Sequence, residues 1–109
     1  MNSLGTARER QVRRHLEEDG WVVIRAAGSL GPVDLVAMRR GQFPRFVQVK
    51  TDDRRPFDHF RPPDRLKLTQ LARQAGAEAW LAWWPPRRTL QWLAESQWPT
   101  IHPRIEIPI

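Results

Sequence analysis

Val33-Asp34-Leu35-Val36-Ala37-Met38-Arg39, then Arg40-Gly41-Gln42, then Phe43-Pro44-Arg45-Phe46-Val47-Gln48-Val49-Lys50 is the stretch that decides the fold. Two β-rich runs flank a glycine-bearing tripeptide, which is a hairpin signal. A turn centred on Gly41 sets Asp34 opposite Gln48, each seven residues from the glycine. Strand side chains alternate with period two, so Lys50 points to the same side as Gln48 and Asp34. Val36, Met38 and Phe46 share that side nearer the turn. Val33, Leu35, Ala37, Val47 and Val49 take the other. Both sides are apolar, so both should be covered. One corner of one face is then polar: Asp34, Gln48 and Lys50.

Working outward, Thr6 to Asp19 reads as a helix, with Thr6 as its cap, Val12 and Leu16 as its inward stripe, and Gly20 ending it. Trp21 to Arg25 reads as a strand, and Ala26 to Pro32 as a small-residue loop. Downstream, Thr51 to Pro63 is polar, charged and proline-bearing, and reads as a long mobile loop. Asp64 caps a second helix running to about Ala75, with Leu68, Leu71, Ala72 and Ala75 on one face and Gly76 as its stop. Glu78 to Trp84 and Thr89 to Leu93 read as strands joined by the turn Pro85-Pro86-Arg87-Arg88. The tail from about residue 98 has no clear assignment. The order α-β-β-β-α-β-β predicts an α/β fold, a central mixed β-sheet flanked by helices on both faces.

The chain is 109 residues long, which suits a single domain over residues 1–109. It has no cysteine, which excludes disulfides and cysteine-based metal sites. No apolar run approaches ~18 residues, so no membrane span is expected. The N-terminus has no basic-then-apolar signal, and an intracellular, cytoplasmic setting is the expectation. Eighteen basic against twelve acidic side chains give a net charge of +6, pointing to a polyanionic partner. Lys50 and Lys67 are the only lysines; the rest of the positive charge is arginine, suited to bidentate phosphate contacts. A GC-rich genome would also favour arginine over lysine, but does not account for the shortage of acids.

The first helix adds to the polar corner. Glu9 lies about 20° around the helix from Leu16 and about 60° from Val12, so it shares the stripe that packs on the sheet. An acid there is costly without a cationic or metal partner. The plainer alternative is a capping box, Thr6-x-x-Glu9. Each other member also has a plain reading: Asp34 as a strand acid paired with an arginine, Gln48 as a buried amide bonded to backbone, Lys50 as a solvated strand end. Together, an Asp, an amide oxygen, a Lys and a helix Glu at one corner are what Mg²⁺ and a phosphodiester require. A lysine beside them offsets phosphate charge and orients the attacking water.

Asp34 followed by Gln48-Val49-Lys50 resembles the PD-(D/E)XK nuclease signature, with glutamine in place of the last acid. Thr6-Ala7-x-Glu9-Arg10, then Trp21-Val22-Val23-Ile24-Arg25-Ala26-Ala27-Gly28-Ser29, then Gly31-Pro32-Val33-Asp34-Leu35-Val36-Ala37 is similar to the archaeal-type Holliday junction resolvases, which some phages also carry. The resemblance covers about residues 5–50. It implies a restriction-endonuclease-like core and a homodimer that nicks two strands of a four-way DNA junction symmetrically, in DNA recombination and repair. A C2 dimer supplies the two equivalent sites such nicking needs.

Carried over by position, the resemblance implies that Glu9, Asp34 and Gln48 bind Mg²⁺, for which Mn²⁺ can substitute, with the Val49 carbonyl helping. It makes Lys50 catalytic, sets Ser29 in a loop that approaches the scissile strand, and gives Arg10 and Arg25 roles in DNA binding and cleavage. Gln48 is the departure, since a neutral amide leaves the site one negative charge short. Asp52, two residues past Lys50, is a substitute if the strand continues. The basic loop with Arg54, Arg55 and Arg61, and with Phe57 and Phe60, reads as a DNA contact, with a solvated lid as the alternative. The tryptophans of the last hairpin read as core and dimer surface, and Leu68 and Leu71 as further dimer candidates. Two rivals stand beside the junction reading: another small PD-(D/E)XK nuclease acting on flaps, mismatches or duplex, and a non-catalytic DNA-binding module of the same fold, for which Gln48 is the best support.

Overall fold

A computed structural model of the chain describes residues 3–100. Helix α1 (Ser3–Glu18) leads into strands β1 (Val22–Leu30), β2 (Val33–Met38) and β3 (Arg45–Lys50). Helix α2 (Pro62–Ala75), strands β4 (Glu78–Trp83) and β5 (Gln91–Ala94), and a 3₁₀ turn at Glu95–Gln97 complete the order. The five strands form one mixed sheet in the order β1-β2-β3-β4-β5. All pairs are antiparallel except β3 with β4, which is parallel. A parallel pair needs a crossover, and α2 provides it. Among the described residues no helix is long and apolar enough to cross a membrane.

The central hairpin has the register its turn predicts. Leu35 pairs with Val47, Val36 with Phe46 and Ala37 with Arg45, all symmetric about Gly41. Gly41 sits at φ 76°, the left-handed conformation a tight turn requires. The second strand begins at Arg45, two residues later than expected from Phe43; Pro44 has no N–H to give the ladder.

The two apolar faces are covered as the alternation demands. On one, Val12 and Leu16 of α1 pack with Trp21, Val23, Leu35, Ala37, Val47, Val49 and Ala82. On the other, Leu68 and Ala72 of α2 pack with Ala26, Phe46, Ala79, Leu81 and Trp83. Val33 departs from its expected side and joins the α2 layer. It pairs with Leu30 just where the β1–β2 register slips, and a bulge there increases the local twist.

Several boundaries differ from the sequence reading. Helix α1 starts at Ser3, so Thr6 lies inside it and is not its cap. The expected loop Ala26–Pro32 is mostly strand: β1 runs on to Leu30, and the four residues between Arg25 and Leu30 oppose only one of β2, Asp34, between Leu35 and Val33. Small residues let this edge bulge without leaving the sheet. Helix α2 begins at Pro62 rather than after Asp64, with Arg61 at its cap position. Proline has no N–H to lose in a first turn, and Asp64 there complements the helix dipole. Gly76 ends α2 at φ 66°, as expected, whereas Ala75 is exposed and Arg65 and Thr69 are buried.

The segment 51–61 is anchored rather than free. Phe60 is fully buried and stacks against Phe57 and edge-on against Trp98. The buried Arg65 guanidinium donates to the Phe60 carbonyl at 2.5 Å, and burial lowers its pKa. The Trp83 indole N–H donates to the Asp52 carbonyl at 2.6 Å. Phe60 is therefore core, neither a DNA wrap nor a lid. Leu68 is wholly buried and has no surface to offer a dimer. The expected tail from about residue 98 lies mostly outside the described residues, although Trp98 itself is buried.

Candidate active site

Antiparallel pairing brings the start of β2 beside the end of β3, so Asp34 meets Gln48, Val49 and Lys50 at one end of the sheet. One carboxylate oxygen of Asp34, Oδ2, accepts the Val49 backbone N–H at 2.7 Å and the Gln48 Nε2 at 2.5 Å. Gln48 is buried, and its partner is a side chain, not the backbone. Burial raises the Asp34 carboxyl from 3.8 to about 6. The Val49 hydrogen bond opposes that rise, the Glu9 charge adds to it, and Gln48 and Lys50 pull the other way. Glu9 and Lys50 thus act electrostatically on Asp34, as convergence on one corner requires.

Glu9 is not in a capping box. Its Oε1 accepts from the Arg25 Nε at 3.1 Å, an ion pair from α1 to the edge strand. Glu9, Arg10, Arg13 and Arg25 line a small cleft of about 140 Å³ with Thr6 and Leu35. Arg10 and Arg25 therefore flank the acid. Ser29 is exposed on the bulged end of β1, next to Leu30, whose partner Val33 precedes Asp34. Gly31 follows at φ 56°, and a β-carbon there would lie 3.7 Å from the Lys67 side chain. Lys67 thus packs over the turn beside Ser29, a placement the sequence reading missed because the helix-to-turn contact leaves no local signal.

Asp52 does not stand in for the missing acid at Gln48. Its Oδ1 is bonded to His59 Nδ1, and its other oxygen is buried without a hydrogen-bond partner. Its charge has no part in the Asp34 shift. Among the described residues, no three of His, Cys, Asp or Glu come together to hold a metal. The available oxygen set is two carboxylates, the Gln48 amide and backbone carbonyls. Arg54 and Arg55 are exposed on the segment after Lys50, and Arg55 pairs with Asp58 at 3.4 Å.

At the other end of β3 the Arg45 charge is held among aromatic rings, with its Nε buried and without a hydrogen-bond partner. The Arg45 guanidinium lies 4.4 Å from the Trp21 ring centre and 4.6 Å from that of Trp80. Glu78 stands 4.0 Å from Arg45 Nε, and Arg39 covers Trp21 at 4.5 Å. A cleft of about 430 Å³ beside Arg45 contains none of the corner residues.

With this geometry in hand, the chain can be set beside known proteins. The family model described as archaeal Holliday junction resolvase (hjc) matches residues 1–104. The chain is 38% identical over 78 residues to the crossover junction endodeoxyribonuclease Hjc of Methanocaldococcus jannaschii, covering 72% of this chain. It spans 56% of that relative's length. It is also similar to the solved structure of Archaeoglobus fulgidus Hjc, a Holliday junction resolvase from an archaeal hyperthermophile. The TM-score is 0.72 at 29% identity, over 86% of this chain and 75% of the other.

Proposed function

As the chain belongs to the archaeal Holliday junction resolvase family, we propose that it is a metal-dependent, structure-selective endonuclease that makes paired, symmetric nicks in four-way DNA junctions. The observation that carries this is the corner itself: Asp34, Gln48 and Lys50 at one sheet end, with the Glu9 charge acting on Asp34.

The residues suit a hard divalent cation. Asp34 is a half-buried carboxylate whose pKa is raised to about 6, chiefly by desolvation and further by the Glu9 charge, and a cation would relieve both. Asp34, Glu9, the Gln48 amide oxygen and the Val49 carbonyl would hold Mg²⁺, and Mn²⁺ can substitute. Gln48 now turns its Nε2 to Asp34; rotating the amide half a turn presents the oxygen. When bound, the ion supplies Lewis-acid polarisation of the phosphoryl group and a water acidic enough to attack it.

The chain does the rest. Val49 N–H fixes one Asp34 oxygen and leaves the other free. The Arg25 ion pair orients Glu9. Lys50 offsets phosphate charge and orients the attacking water. Arg10, Arg25, Arg54 and Arg55 supply backbone contacts, and Ser29 sits where the cut strand passes. The site's few negative charges leave DNA binding to the arginines.

A homodimer fits paired cutting. Val22 and Ile24 on edge strand β1, and Leu66 on α2, are exposed apolar side chains at 64%, 53% and 44%. Val23 faces α1, so by alternation Val22 and Ile24 face the α2 side, where nothing in the described chain covers them. Size measurement in solution should give twice the chain mass without DNA.

A second reading has one specific support. The Asp34–Gln48 hydrogen bond closes the pair on itself without a third carboxylate, as a non-catalytic DNA-binding module would. The deciding experiment incubates the protein with a labelled four-way junction and a matched linear duplex, with Mg²⁺, with Mn²⁺ and with neither. Paired symmetric nicks in the junction alone support the resolvase. Equal cutting of both DNAs makes it a general nuclease. Tight binding with no nick under either metal makes it the binding module.

A further inference from the structure

We propose that the β4–β5 turn, Pro85-Pro86-Arg87-Arg88, is a second phosphate-binding element that holds a segment of the DNA other than the one being cut. This rests on the nuclease reading above and extends it to residues outside the corner.

The first support is position. Strands β3 and β4 run parallel with Lys50 opposite Trp83, and the Trp84 N–H donates to the Lys50 carbonyl at 2.9 Å. The chain therefore enters this turn directly beside the catalytic lysine. Asp53, Pro86, Arg87 and Arg88 line an open cleft of about 470 Å³, so the turn faces the segment that continues into Arg54 and Arg55.

The second is conformation. Arg87 has φ 59°, the one positive φ at a non-glycine position among the described residues. A side chain with a β-carbon is strained there, and glycine or asparagine takes the position more cheaply. Strain held by an arginine beside an active centre points to the side chain's use.

The third is rigidity. The Trp84 indole N–H donates to the Arg88 carbonyl at 2.9 Å, and the Arg88 N–H to the Pro85 carbonyl at 3.3 Å. Arg8 of α1 donates to the Pro85 carbonyl at 3.3 Å while its guanidinium lies 4.6 Å from the Trp84 ring centre. Arg87 and Arg88 themselves are exposed, and no ion pair among the described residues involves either. A pinned backbone with two unpaired guanidinium forks suits phosphodiester oxygens.

Arg8 and Glu9 are consecutive on α1. Glu9 turns to Arg25, and Arg8 turns to the β4–β5 turn. The corner is thus flanked by Arg10 and Arg25 on one side and by Arg8, Arg87 and Arg88 on the other. A straight duplex follows one flank, whereas strands leaving a branch point run past both.

The test measures binding to a four-way junction and to a linear duplex of equal length across a salt series, for wild type, Arg87→Gly, Arg88→Ala and the double variant. Glycine keeps the left-handed turn, so Arg87→Gly should melt at or above the wild-type temperature. The double variant should bind the junction roughly ten-fold more weakly, with a log K against log salt slope shallower by about 2, and should lose less on linear duplex. An unchanged junction affinity and slope, with an effect confined to melting, would make the turn structural and overturn the proposal. Equal losses on both DNAs would overturn the assignment to a second segment. Wild type that does not discriminate the two DNAs sinks the resolvase reading and this one with it. Wild type that discriminates, with a double variant that discriminates equally well, sinks this one alone.

Discussion

Strand β3 has a charged side chain near each end, and the two ends treat charge in opposite ways. Arg45 is enclosed by Trp21 and Trp80 and faces Glu78. A guanidinium between two indole faces is held by protein contacts alone, although its Nε is buried without a hydrogen-bond acceptor and burial lowers its pKa. At the far end, Lys50 sits beside Asp34, a carboxylate that burial holds near 6. There the protein leaves charge for something else to satisfy. The first arrangement stabilises the fold. The second costs stability and confers reactivity.

Substituting the acid should separate the two ends most sharply. Asp34→Asn should cut metal-dependent nicking by roughly 10³-fold or more, since a lost ligand worth a few kcal/mol acts at ~1.4 kcal/mol per tenfold. Junction binding should survive, because it rests on arginines. The metal-free protein should also become more stable at neutral pH, by up to about 3 kcal/mol for a rise from 3.8 to about 6. Nicking assays and chemical denaturation in chelator check the two halves. A destabilised Asp34→Asn would show that the acid is structural, and the contrast would collapse.

Next in size are changes at Gln48. Gln48→Leu removes the amide oxygen and should cost ten- to a thousand-fold in nicking, on the order of one weak ligand. Gln48→Glu restores a third acid and should lower the Mg²⁺ concentration for half-maximal nicking. Mn²⁺ should rescue the weaker variants better than Mg²⁺. Full activity in Gln48→Leu would remove position 48 from the ligand set.

Arg45→Ala tests the other end. It should leave nicking intact at permissive temperature and lower stability by about 1–2 kcal/mol, the scale of two cation–π contacts and a half-buried ion pair. A loss of nicking in a folded Arg45→Ala protein would mean that the two ends are coupled.

The smallest effect is a slope. Because the folded-state pKa of Asp34 lies above its unfolded value, the folded protein holds the extra proton between about pH 4 and 6. In that window this acid makes stability fall as pH rises. The penalty is absent below the window and complete above it. The slope should appear as the difference between wild type and Asp34→Asn in chelator, and should vanish when metal is added.

The hairpin register was legible in the sequence because one glycine and period-two alternation determine it. Asp34 therefore met Gln48 where expected. The convergence of Glu9 was legible from helix geometry, but its partner was not: Arg25 is sixteen residues away, on a strand whose length depends on a bulge. Small residues at 26–29 read as loop by propensity, and only the β2 pairings on either side of them, at Arg25 and Leu30, keep them in the strand. Phe60 sat in a charged segment that masked a core residue. Local composition carries no trace of the Trp98 ring it packs against.

The Val49 N–H, bonded to the Asp34 carboxylate at 2.7 Å, also makes the site observable. An amide proton held by a carboxylate resonates at a position that depends on the charge of that carboxylate. In an isotope-labelled protein, the Val49 cross-peak is a built-in reporter. It will shift as Asp34 titrates and again when a cation arrives, without any probe attached to the chain. Strand β3 holds no acid of its own, so this one backbone resonance can follow the occupancy of the corner while DNA is being bound and cut.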